Sequence, residues 1–582
     1  MAGSLLHLVL RQCKSAQNIR SPLPLCNFPF ITSDGRGFTT NTIYQWTESN
    51  RSSLSCGHKS PTSCCGSSDP LDPSQRSSRS YHSTATPTAV DKSVNRFELT
   101  SSTARGLTSD STRTRGTAKS RGSARVSSRS LQISSPRQYQ AKLTPAEVTV
   151  TLRANEYTNS DLPTGPVKSY DMNTLRSNNP IEDAHSEALL WNGGYLFGIY
   201  DGHGGAACGQ VVAKRLLNYI AAGLLSHAEI EMHLKAIHSE DTENQLYSLL
   251  KILNENFELV QDLKDLYQKS YEEYLELLSS RKQDASLQNL ESVLTNAFIA
   301  LDDDMSREAQ PAEGEMVNMK TLTVAMSGCV AVVTHIDGPH LHVASTGDCT
   351  AVIGSLSETG TWIAKKLTTE HNSDNIQEVK RILSEHPETE HHHIIKGDRL
   401  LSMLAPLRAF GDFKFKWSKE RIESTLGSIL GNHACPPNYK TPPYLTAMPE
   451  VTYHHLTARD RFLVLGSDGL WDMMTPMQVI RLVGEHMSGK LTLSPLHLSQ
   501  PHIPLEDIAS LLRQREAAMK LKPADANAAT HLIRCALGGT AYGVDHSRLS
   551  QMLSLPQDMV RMFRDDMTIT VIFFDDEYLR HC

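Results

Sequence analysis

Tyr195-Leu196-Phe197-Gly198-Ile199-Tyr200-Asp201-Gly202-His203-Gly204-Gly205 is the stretch on which the reading of this chain turns. Its first six positions have the apolar and aromatic character of a buried strand, and the run stops abruptly at an aspartate followed by glycines. The strand therefore delivers a carboxylate to a tight turn. Beyond the turn, Val211, Val212, Leu216, Leu217, Ile220 and Leu224 recur at helical spacing, which predicts a helix over 206–225.

Working outward, residues 227–310 read as helical and rich in charge, including Leu249-Leu250-Lys251-Ile252-Leu253 and Tyr271-Glu272-Glu273-Tyr274, with an amphipathic part from Leu290 to Met305. Short strands are expected at 328–333, 341–344 and 351–354, split by Gly and Asp turns into antiparallel hairpins. Phe462-Leu463-Val464-Leu465-Gly466 and Met567-Thr568-Ile569-Thr570-Val571-Ile572-Phe573-Phe574 read as two more buried strands, with helices at 476–487 and 505–519 between them. On the N-terminal side, Leu143, Val148, Val150 and Leu152 open the folded region near residue 141 with an alternating apolar pattern. Helices and antiparallel strands in separate runs point to an α+β layered domain over 141–582.

Residues 1–140 differ from the rest. They are crowded with Ser, Thr, Arg and Gly and show no sustained period, so they are expected to be a disordered head. They hold 18 Lys and Arg against 7 Asp and Glu, whereas the chain as a whole carries −7, so residues 141–582 are strongly acidic. That balance argues against a nucleic-acid binder, which needs clustered Lys and Arg. No acidic residue precedes Asp34, and Leu5, Leu6, Leu8, Val9 and Leu10 mix with Arg11, Lys14 and Arg20, the composition of a mitochondrial transit peptide. No stretch is long and apolar enough to span a bilayer. The 11 cysteines form no C-x-x-C pair, so neither a disulfide framework nor a zinc site is suggested. The His391-His392-His393 triplet is read as a solvated loop, because adjacent residues cannot all face one ion.

Three apolar strands place an acidic residue at an end: Tyr200-Asp201-Gly202, Gly466-Ser467-Asp468-Gly469 and Arg564-Asp565-Asp566-Met567. A carboxylate beside a buried strand is costly to desolvate unless something positive meets it, and three of them suggest a shared cation. Oxygen donors without matching His or Cys favour Mg²⁺ or Mn²⁺ over zinc. Taken singly, each Asp-Gly is also an ordinary turn.

Taken in order, Ile181-Glu182-Asp183-Ala184-His185, Asp201-Gly202-His203-Gly204-Gly205, Thr346-Gly347-Asp348, Ser467-Asp468-Gly469-Leu470-Trp471-Asp472 and Arg564-Asp565-Asp566-Met567 resemble the five blocks of the type-2C metal-dependent protein phosphatase family. The resemblance covers roughly residues 145–576. It implies two packed antiparallel β-sheets flanked by α-helices, with two Mg²⁺ or Mn²⁺ ions in a cleft at one edge. It further implies that Asp201, Asp468 and Asp565 hold one ion, and that Asp201, the Gly202 carbonyl and Glu182 hold the other. His203 matches the general acid of the family, and a capping or orienting histidine is the alternative. Asp348 matches the position of a third, weaker metal, although a hairpin turn also explains Gly347-Asp348. Asn178 stands where many members carry an arginine that grips substrate phosphate; as the phosphate-binding residue there it is a neutral donor expected to bind more weakly, which leaves the anion-gripping group unidentified, and Arg176 is close in sequence but would have to swing back.

The Asn178 departure is shared with one branch, the phosphatases of the pyruvate dehydrogenase complex. Resemblance to it rests on residues 179–183, 404–412, 441–447 and above all 526–556, blocks that read as fold and partner surface without a catalytic reason. The implied substrate is phosphoserine on the pyruvate dehydrogenase α subunit, in the mitochondrial matrix. Implied partners are the lipoyl domain of the acetyltransferase core, with calcium bridging the two proteins since no EF-hand loop is present, and a regulatory subunit. Alternatives are a phosphatase of the same fold for another phosphoprotein and a pseudophosphatase that only binds. The helical insertion at 227–285 is read as a flap, a partner surface or a solvated elaboration.

Overall fold

The computed structural model describes residues 142–237, 249–254, 263–280, 289–311, 316–489, 503–520, 523–540 and 543–582. The expected head at 1–140 lies outside them. Two antiparallel sheets carry the fold. One has six strands in the order Tyr157–Asn159, Val167–Leu175, Met567–Phe574, Asp460–Gly466, Thr350–Leu356 and Trp362–Lys366. The other runs Glu450–His455, His340–Thr346, Gly328–Asp337, Tyr195–His203, Ala184–Leu190 and Leu250–Ile252, with Phe410–Gly411 paired to Gly328–Asp337.

The near-continuous apolar strands follow from burial on both faces. In Asp460–Gly466, Leu463 and Leu465 share a core with Ile199, Tyr200 and Val332 of the other sheet. Phe462 and Val464 share a second core with Val479, Val483, Leu532 and Ile533 of the helices Pro476–Ser488 and Ala528–Gly538. Successive side chains of a strand point to opposite faces, so one strand serves both layers. Helix Ala207–Gly223 covers the outer face of the second sheet, burying Val212, Leu216 and Ile220.

Several expectations are corrected. Residues 145–153 form a helix despite the alternating apolar pattern of Val148, Val150 and Leu152. Thr144 and Glu147 make a capping box, with Glu147 Oε2 2.8 Å from the Thr144 N–H, and Pro145 occupies the first turn. Val148 and Leu152, four residues apart, are buried while Val150 is 72 % exposed. Leu250–Ile252, read as helical, is an edge strand paired with Ala188–Leu190, so the 227–285 segment adds a strand as well as the helices His227–Ile237 and Lys264–Ser280. Local composition favoured a helix there, and the open edge of the sheet decided otherwise. The triplet 391–393 opens a one-turn helix, His391–Ile394. Gly347-Asp348 is no hairpin turn: His340–Thr346 lies in one sheet and Thr350–Leu356 in the other, so this link carries the chain between layers.

Candidate metal and phosphate site

Antiparallel pairing brings the chemically suggestive strand ends to one edge. Ala184 pairs with Tyr200, so Glu182, just before its strand, comes to the same edge as Asp201 near the end of the next. Gly466 pairs with both Ile569 and Thr350, which draws together Asp468, Asp565 and Asp348 in the other sheet. Gly202 lets the two loops touch: a Cβ there would lie 2.3 Å from the Glu182 carbonyl oxygen.

The electrostatics record this convergence. Burial, followed by the fields of Asp468, Asp183, Asp348 and Asp565, pushes the Asp201 carboxyl well above the usual carboxylate range. Asp468 is pushed up to about 7 by burial and then by Asp348 and Asp565. Glu182 and Asp348 are also raised, chiefly by burial; Arg561 opposes the shift at Glu182 and His203 opposes it at Asp348. Such a cluster is stabilised as carboxylates by a cation. Its donors are all oxygen, which suits Mg²⁺ or Mn²⁺. Among the described residues these side chains lie in one another's field without converging into a closed cage.

His203 is held by a residue of the 404–412 block, expected to serve fold and partner surface. Its Nε2 lies 2.6 Å from Oδ2 of Asp412, which is fully buried at the end of the 404–412 block. Burial would lower the imidazole pKa, but the Asp412 carboxylate overrides it and the net shift is upward. Gly328 makes room for the pair, since a Cβ there would lie 2.1 Å from His203 Nε2 and 2.3 Å from Asp412 Oδ2. Asp412 lies 209 positions from His203, and no local pattern links them.

Asp566 organises the loop before Glu182. Its carboxylate accepts the backbone N–H groups of Ser177, Asn178 (2.8 Å) and Glu182 (2.8 Å), and the Asn178 Nδ2–H at 2.7 Å. The Asn178 carbonyl in turn accepts from Arg561 at 2.9 Å. Arg561 also reaches Glu182 at 3.3 Å and donates to Asp565. Arg564 donates from Nη1 to the Ser177 hydroxyl at 2.6 Å, while its buried Nε finds no partner among the described residues, and Arg176 is exposed to solvent.

The 526–556 block builds the outer layer instead. Asn527 caps its helix, the Ala528 N–H donates to Asp171 at 2.7 Å, and Asn173 donates to Thr530 at 2.7 Å, pinning the helix to strand Val167–Leu175.

The family model for Protein phosphatase 2C matches residues 226–503, a span that includes Asp348 and Asp468. The chain belongs to this family of metal-dependent protein serine/threonine phosphatases. Within it, the chain is 43 % identical over 450 residues to the mitochondrial pyruvate dehydrogenase (acetyl-transferring) phosphatase 1 of Bos taurus, covering 74 % of this chain and 83 % of that one. Phosphatase 2 of Homo sapiens is 41 % identical, covering 75 % and 85 %. Phosphatase 1 of Saccharomyces cerevisiae is 29 % identical, covering 70 % and 68 %.

Proposed function

We propose that this phosphatase removes phosphate from phosphoserine on the pyruvate dehydrogenase α subunit in the mitochondrial matrix, and so reactivates the complex. The observation that carries the reading is the joint presence of the acidic edge and of 43 % identity to a pyruvate dehydrogenase phosphatase over most of both chains. Asp201, Asp468 and Asp565 would hold one Mg²⁺ or Mn²⁺, and Asp201, the Gly202 carbonyl and Glu182 a second, with Asp348 facing a third, weaker site. Bound there, the cations supply an acidified water and offset charge on the phosphate oxygens.

The chain's own part is positional and protonic. Asp412 holds the Nε2–H of His203, so Nδ1 is left to carry the proton given to the departing serine oxygen. Asp566 fixes the loop that presents Glu182. Docking to the acetyltransferase lipoyl domain with calcium, and a regulatory subunit, belong to the same reading.

The test is phosphate release from phosphorylated α subunit by residues 141–582, with Mg²⁺, with chelator, and beside an unrelated phosphoserine protein. Fast, metal-dependent, selective release is expected. Unselective release removes the assigned substrate, and absence of release under every condition favours a binding protein.

A further inference from the structure

The acidic edge poses a problem for its own substrate. Glu182, Asp201, Asp348, Asp468 and Asp565 already repel one another, and a phosphate ester brings about two more negative charges. Cations offset part of this. A guanidinium is the side chain whose planar fork matches phosphate oxygens, and Asn178 offers none.

Asn178 is buried and its amide is already engaged on both sides. It is 6 % exposed, its Nδ2 is 2.7 Å from Asp566 Oδ2, and its Oδ1 receives Arg561 Nη1 at 2.9 Å. Asp566 therefore orients the amide so that its carbonyl faces Arg561. Arg561 is also 3.3 Å from Glu182 and donates to Asp565, which places it at the lip shared by both sets of carboxylates. Among the described residues it is the only Lys or Arg paired with these acids. Its side chain is 45 % exposed, open to a ligand, and its contacts use Nη1 and Nη2, leaving Nε without a partner among the described residues.

We propose that Arg561 binds the phosphate of the substrate and that Asn178 positions it; the assignment rests on the phosphatase reading of this site. Arg561 comes from the short turn Val560–Met562, shortly after the 526–556 block.

The test measures Arg561→Ala, Arg561→Lys and Asn178→Ala against the unaltered chain with p-nitrophenyl phosphate. It also measures direct binding of inorganic phosphate by calorimetry, with Mg²⁺ affinity and the melting midpoint as controls. Arg561→Ala is expected to raise KM and weaken phosphate binding by about tenfold or more, the worth of a charge-assisted hydrogen bond. Its kcat should fall less than KM rises, with Mg²⁺ affinity unchanged or tighter. Arg561→Lys should lie between, and Asn178→Ala should move KM the same way by less. Phosphate affinity and KM within about twofold of the unaltered chain in both Arg561 variants would overturn the proposal and leave Arg561 a counter-ion of the acids. An unaltered chain that binds phosphate through Arg561 but hydrolyses no phosphoester would sink the phosphatase reading instead, and the two failures are told apart by the binding data.

Discussion

Removing the charge of Asp412 while keeping its shape tests how the proton on His203 is controlled. In Asp412→Asn the ring loses the carboxylate that raises its pKa. Hydrolysis of a phosphoserine peptide should drop by about a hundredfold, the usual worth of a general acid. Hydrolysis of p-nitrophenyl phosphate should change far less, because p-nitrophenolate leaves without a proton. Equal losses on both substrates would mean that Asp412 shapes the cleft and does not govern protonation. Gly328→Ala should copy the same imbalance, since its Cβ would strike both partners. At the proposed metal site, Asp468→Asn should lower turnover on both substrates by roughly a hundredfold or more, and unaltered turnover would remove Asp468 from the site. Residues tied to a local motif, such as Asp201-Gly202-His203, were legible from the sequence alone. Asp412 and Arg561 were not, because their contacts with His203 and Asn178 join positions hundreds of residues apart.

Among the elements, the helix Pro145–Arg153 shows where pattern reading fails. Val148, Val150 and Leu152 alternate as a strand would, yet Thr144, Pro145 and Glu147 are helix-start residues, and the capping box decides the outcome. The two assignments make opposite demands on Val150. Leu152→Ala should cost about 2–5 kcal/mol of stability, whereas Val150→Ala should stay within about 0.5 kcal/mol, both read from chemical denaturation. Comparable losses at the two positions would contradict the helix. The helix 290–308 was legible because burial on a fixed face leaves its period in the residues, and the strand 567–574 because burial on both faces leaves a short continuous apolar run. The edge strand Leu250–Ile252 was not, since three residues carry no period and only the waiting edge of Ala184–Leu190 makes them a strand.

Over the whole molecule, stability should depend on pH through histidines far from the cleft. Burial holds His335 and His531 near about 4, so both are neutral in the folded chain. Unfolded, they take up protons below about 6.5, so folding is favoured above that value and loses ground as pH falls from it towards 4. Each site should cost on the order of 1 kcal/mol per pH unit across that window. His335→Gln and His531→Gln would flatten the profile of melting midpoint against pH, and an unchanged slope would remove the two rings as its cause. Divalent cation should act in the opposite sense. At about a hundred times its dissociation constant it should add about 2–3 kcal/mol of stability, which chelator withdraws. Strand and helix patterning gave an α+β layered domain, the family resemblance implied its two sheets, and the way the layers are joined had to be seen.

That joining has a consequence of its own. Glu182 and Asp201 belong to one layer and Asp468 and Asp565 to the other, with Gly347-Asp348 as the strap between them. A slip of one residue in the pairing of Asp460–Gly466 would turn alternate side chains to the wrong face and carry Asp468 out of reach. Chemistry at this edge therefore serves as a certificate of assembly: a misregistered chain can be compact and still be silent, so specific activity measured on a refolded sample counts correctly aligned molecules and not merely collapsed ones.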